Sequence, residues 1–135
     1  MSVEFKDYSK LVIDKINQTG VTFLEEATGE LEAQTKRNTK VDTGKTKGSW
    51  EHGVDEGKME GYVGSRYINA LWEELGTGVY ALNGDGRKDV PWVYKSVDGK
   101  FYRTKGKKPR RALFNAYRVL KNSIIREAQR RFKKI

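Results

Sequence analysis

Residues 92–134 read WVYKSVDGKFYRTKGKKPRRALFNAYRVLKNSIIREAQRRFKK, and the change of period inside that stretch decides the fold class. Trp92–Val97 and Lys100–Thr104 are short aromatic and β-branched runs on either side of Asp98-Gly99. That dipeptide suits a two-residue hairpin turn, in which both central residues take positive φ. Beyond it the spacing turns helical. Leu113, Ala116, Tyr117, Leu120, Ile124, Ala128 and Phe132 form one apolar stripe, with Ile135 at its end. Pro109 suits a first helical turn, so a helix is expected over 109–134.

Outward from this stretch the same two periods alternate. Val12, Ile16, Phe23, Ala27 and Leu31, widened by Leu24, predict a long amphipathic helix over 7–38. Asp14, Glu25, Glu26, Glu30 and Gln34 occupy its other side. Gly20 and Gly29 each weaken it by about 1 kcal/mol relative to Ala, and a bend or break is expected near Gly20. Residues 41–50 read as a loop leading into a strand. Trp50–Val54 and Met59–Gly64 read as two strands, with Trp50, His52 and Val54 sharing a face. Ile68, Leu71, Trp72 and Leu75 predict a short helix over 67–75, with Gly76 as its C′ residue. The glycine-rich segment 77–90 reads as a mobile loop. The expected fold is α+β: one domain over 1–135, with a small antiparallel sheet and long N- and C-terminal helices packed on it.

Composition narrows the function classes. In 135 residues, hydrophobic side chains make up 36% and charged ones 33%. Mean hydropathy is −0.79. A thin core is expected, with much of the chain facing water or a partner. There is no cysteine and one histidine, which excludes disulfides and thiolate metal sites. No apolar run approaches the roughly 20 residues that span a bilayer. The N-terminal MSVEFKDYSK lacks the layout of a signal peptide, so a soluble protein in a reducing compartment is expected, with no membrane partner. Charge is uneven. Residues 103–135 hold 13 Lys and Arg against one acid, Glu127, a net +12 in a chain whose total is +9. Such asymmetry points to an acidic partner, nucleic acid or protein.

No catalytic set assembles from the residues. Ser49 and His52 are the only candidate nucleophile and base, and His52 reads as a histidine partly covered by sheet packing. Glu73 and Glu74 leave a helix about 100° apart and cannot face one substrate. One is expected to turn inward or toward a backbone amide, the other toward solvent. Asp85 and Asp89 lack the spacing of a calcium loop, and no phosphate-cradling glycine motif occurs. No cofactor or metal is implied. Arg103, Lys105, Lys107, Lys108, Arg110 and Arg111 cluster near Phe101 and Tyr102, which keeps sequence-nonspecific nucleic-acid binding as the alternative function. The cluster matches no named reading motif.

Three segments together resemble one family, the neck and tail-completion components of tailed phages typified by gene product ten of the Hong Kong ninety-seven coliphage. The first is Val41-Asp42-Thr43-Gly44 with Ser49, where Thr46 replaces the commoner Leu and one extra residue precedes Ser49. The second is Ala70, Glu74, Gly76, Thr77 and Gly78, with Asn69 at the usual Tyr position and Trp72 and Glu73 where apolar residues are usual. The third is the hairpin with Trp92 and Tyr94, followed by Gly99, Thr104, Gly106, Pro109, Leu113 and Ala116. The resemblance spans about residues 41–116.

It implies a subunit without catalytic chemistry that forms a homo-oligomeric ring, commonly six-fold, at the head–tail interface as a neck, tail-completion or tail-terminator protein. Its neighbours would be connector or head-completion proteins and tail-tube or terminator proteins, with DNA passing nearby. It would reside in a virion or phage-like particle assembled in the host bacterial cytoplasm. Asp42, Thr43 and Glu74 would satisfy local backbone amides, Glu74 at the Gly-Thr-Gly turn that follows it. Trp92, Tyr94, Phe101, Tyr102, Arg110 and Arg111 are the candidate interface residues, since aromatics and Arg are enriched at interfaces.

Overall fold

The computed structural model describes residues 6–41 and 44–135, and its architecture is α+β. Helix α1 (Ser9–Asn38) is continuous over 30 residues. The helix does not break at Gly20, which is buried under the Met59 side chain; a Cβ there would lie 2.8 Å from its sulfur. Tertiary packing thus overrides the local weakness of glycine. Residues 45–48, read as loop, form a single helical turn, α2 (Lys45–Gly48).

Strands β1 (Trp50–Asp55) and β2 (Glu60–Ser65) pair antiparallel, with Trp50 opposite Ser65 and Asp55 opposite Glu60. One face of this hairpin lies on α1. Trp50 is buried there and donates its indole N–H to Thr39 Oγ1 at 2.9 Å. Helix α3 (Ile68–Leu75) follows and ends at Gly76, whose φ of 78° is positive as expected, although its ψ of 171° is extended and not that of a left-handed helical residue. A 3-10 turn (Gly78–Tyr80) lies within the segment read as a mobile loop. Strands β3 (Trp92–Lys95) and β4 (Phe101–Thr104) form the second hairpin. Its turn differs from the two-residue form. The Gly99 N–H donates to the Ser96 carbonyl, the Ser96 N–H to the Lys100 carbonyl, and Gly99 alone takes positive φ. This is a three-residue loop ending in a left-handed glycine.

Helix α4 (Ala112–Lys133) begins three residues later than Pro109. Arg111 precedes it at φ 56°, so the chain reverses there and Pro109 lies outside the helix. Helix α4 runs antiparallel along α1. Asn38 donates to the Ala112 carbonyl at one end, and Arg131 pairs with Glu26 at the other.

The strands thus make two separate two-stranded sheets. The first packs against α1, as does α4, whereas the β3–β4 hairpin makes few contacts outside itself. The core between α1, β1–β2 and α4 is thin. Its buried side chains are Trp50 and small residues, among them Ala27, Thr35, Ala70, Ala112 and Ala116. Residues 6–18 are exposed throughout, with Leu11 at 65% and Ile13 at 56%.

Candidate assembly surface

The base of the second hairpin is a knot of backbone and carboxylate contacts that sets where the hairpin points. The Thr77 N–H donates to the Lys107 carbonyl at 2.9 Å, and the Lys107 N–H returns to Thr77 Oγ1 at 2.8 Å. The Val79 N–H donates to the Lys105 carbonyl at 3.1 Å. The start of the glycine-rich segment is therefore pinned to the strand exit. Gly78 has φ 60°, and a Cβ built on it would stand 2.0 Å from the Lys105 carbonyl oxygen, so only glycine fits.

Two adjacent acids of α3 complete the knot, in different directions. Glu74 accepts from the Leu113 N–H at 3.1 Å and the Phe114 N–H at 2.9 Å. It therefore caps α4 from another element and does not serve the Gly-Thr-Gly turn as the resemblance suggested. Free amide N–H groups at a helix start are natural donors to a carboxylate. Glu73 is not left to solvent. It pairs with Lys107, lies 4.0 Å from the Arg110 Nε, and its carbonyl accepts the Arg110 N–H at 2.7 Å. Glu73 carries no signal in the sequence, because its partners lie more than 30 residues away.

Of the residues expected at an interface, Arg110 and Arg111 are engaged within the chain. The Arg111 guanidinium lies 3.9 Å from the Phe114 ring centre, and Arg110 faces Glu73. The aromatics divide by strand face. Tyr94 and Tyr102 are cross-strand partners with centroids 5.9 Å apart, and Arg87 lies over Trp92 at 5.2 Å. The Tyr102 hydroxyl donates to Asp98 Oδ2 at 2.6 Å, and Asp98 Oδ1 accepts the Lys100 N–H. The Tyr102 hydroxyl, then the Lys100 amide, hold the Asp98 carboxyl below its ordinary range, and the same bond raises the Tyr102 phenol. The opposite face carries Val93, Lys95, Phe101 and Arg103, with Val93 61% and Phe101 70% exposed.

The first motif is tied to the second. Ser49 Oγ donates to the Thr46 carbonyl and accepts from Ser65 Oγ, each at 2.7 Å, and the Tyr67 N–H donates to Ser65 at the entry to α3. The Asn69 side chain donates to Thr46 Oγ1 at 2.9 Å, so the residue in the usual Tyr position joins α3 to α2. Ala70 is buried at 1% exposure. Gly44 takes φ 83° just before α2. Asp42 and Thr43 lie outside the described residues. His52 packs beside Gly29, with Nδ1 3.2 Å from Glu32 Oε2.

Among the described residues no three His, Asp or Glu side chains gather as a metal group, and no helix is long and apolar enough to cross a membrane. A shallow cleft lies between α1 and the β1–β2 turn, lined by Asn17, Val21, Glu56 and Met59, and a smaller one lies beside Arg131. Compared with known proteins, the chain matches no family model, no curated protein and no solved structure.

Proposed function

We propose that this chain is a structural subunit of a phage or phage-like tail that closes into a homo-oligomeric ring at the head–tail interface, without catalytic chemistry. The observation that carries the assembly reading is the surface. The chain exposes 10129 Å², whereas a compact monomer of 15.5 kDa exposes about 7,200 Å². The excess, roughly 2,900 Å², is of the order buried in obligate interfaces. It sits where side chains are apolar and uncovered: the start of α1, the β3–β4 hairpin, and Val119 and Ile125 on α4. The particular particle rests on the resemblance of the three motifs. Their residues Glu74, Gly76, Thr77, Gly78, Gly106 and Pro109 converge on the hairpin base, which favours a role in aiming the hairpin.

Sedimentation and negative-stain imaging of the purified chain test assembly, and a tagged copy followed into particles tests location. Closed rings and a position between head and tail are expected. A monomer at every concentration, or absence from particles, ends the reading.

Nucleic-acid binding is the second reading, favoured by the exposed Arg118, Lys121 and Arg126 along α4. Against it, Lys107, Arg110, Arg130 and Arg131 already face carboxylates. Duplex binding that falls steeply with salt, in a chain that does not assemble, would favour it.

A further inference from the structure

The two hairpins are unlike in charge, and each has one face left bare. The outer face of β1–β2 carries Glu51, Asp55, Glu60 and Tyr62, since Glu51 pairs with Gly64, Gly53 with Tyr62 and Asp55 with Glu60. Tyr62 is 56% exposed and lies across Gly53, its hydroxyl 2.5 Å from where a Cβ would sit. Asp55 and Glu60 stand directly opposite each other, an arrangement of like charges that is unfavourable in a hairpin by itself. Of these acids, among the described residues, Glu51 alone has a cationic partner, Arg66 at 3.3 Å, and that arginine is itself exposed.

The bare face of β3–β4 has the opposite character. Val93 pairs with Arg103 and Lys95 with Phe101, which alternates apolar and cationic side chains across one surface. All four are exposed, and among the described residues Lys95 and Arg103 meet no carboxylate. The hairpin's other face is satisfied within the chain by the Tyr94–Tyr102 contact, the Tyr102–Asp98 bond and the Arg87–Trp92 contact. A two-stranded hairpin that packs on nothing is marginal in water, so its apolar residues call for a cover.

We propose that the Val93, Lys95, Phe101 and Arg103 face docks on the Asp55, Glu60 and Tyr62 face of a second copy of this chain. The inference rests on the assembly reading and names its contact. Lys95 and Arg103 would relieve the Asp55–Glu60 repulsion, while Phe101 and Val93 cover Tyr62 and the glycine strip beside it. The two faces belong to different hairpins, so the contact is heterologous, and repeated it generates a ring where the rotation closes. Complementary charge sets register and excludes wrong pairings.

Charge reversal tests it on the full chain, since all four charged residues are exposed. Lys95→Glu with Arg103→Glu should raise the concentration needed for assembly by roughly tenfold or more, and Asp55→Lys with Glu60→Lys should do the same. The quadruple variant, with both faces reversed, should recover assembly, and circular dichroism should be unchanged throughout. A wild-type chain that never assembles overturns both this contact and the ring reading. Wild-type assembly that both double variants leave untouched, or that the quadruple variant fails to recover, overturns this contact alone. Loss of duplex DNA binding in the Lys95/Arg103 variant with assembly intact would give that face to nucleic acid instead.

Discussion

Gly78 and Glu74 act on opposite sides of one junction, and each makes a claim about a single side chain. At Gly78 the left-handed backbone and the Lys105 carbonyl together exclude any Cβ, since the gap would be 2.0 Å. Gly44 has a similar φ of 83° but nothing within 4 Å of the same position. Gly44→Ala should therefore cost only the left-handed penalty, about 1–2 kcal/mol. Gly78→Ala should cost clearly more, because the 77–79 and 105–107 strands of backbone must also separate. Equal denaturation midpoints for the two variants would contradict the close approach at Gly78. Glu74 accepts from two amides of the first turn of α4. Glu74→Ala should lower stability by about 1–2 kcal/mol, as the loss of an N-cap does, with Glu74→Gln in between. Urea titration at constant m checks it.

Pairing of elements adds a pH dependence, because α4 is held along α1 partly by charge. Glu127 accepts from Arg130 and Arg131, and these bonds hold its carboxyl at about 2, below the ordinary 4.5. Arg131 in turn reaches Glu26 on α1. A carboxyl depressed in the folded state stabilises it fully above the ordinary value, and the contribution is lost as pH falls from 4.5 toward about 2. Thermal melts should show that acid limb, Glu127→Gln should shrink it, and about 1 M salt should flatten it because the group is half-exposed to solvent. Elements set by a clear period were legible in the sequence. Helices α1, α3 and α4 and all four strands stand within a few residues of where apolar spacing places them. What was not legible depends on distant partners. The start of α4 is moved past Pro109 by a left-handed Arg111 and a carboxylate nearly 40 residues upstream. Helix α1 stays unbroken because Met59 covers Gly20. The four polar residues of α2 carry no period at all. At the candidate surface, the exposed aromatics of β3–β4 were readable, but the engagement of Arg110 and Arg111 was not. Nor was the acidic face of β1–β2 singled out, although Glu51 and Asp55 alternate with the Trp50 face.

For the whole molecule, the question is which parts the monomer needs for itself. The body is α1, β1–β2, α3 and α4, joined by Trp50 under Thr39 and by the antiparallel helix pair. The β3–β4 hairpin stands outside that packing, and its aromatic contacts are largely internal. Its base is a separate matter, fixed by the Thr77–Lys107 and Val79–Lys105 bonds. Trp92 and Thr104 face each other across that base, so a tight Asn-Gly turn can close the chain between them once 93–103 are removed. A body that owes nothing to the hairpin should keep its helical spectrum and melt within a few degrees of the parent, because few buried contacts are lost. Assembly should vanish, since the deleted residues carry the uncovered aromatic and cationic side chains. The two measurements separate the ways the idea can fail. Unfolding of the shortened chain would mean that the hairpin belongs to the core, whereas a folded chain that still forms rings would mean that subunits meet through the α1 and α4 surfaces instead.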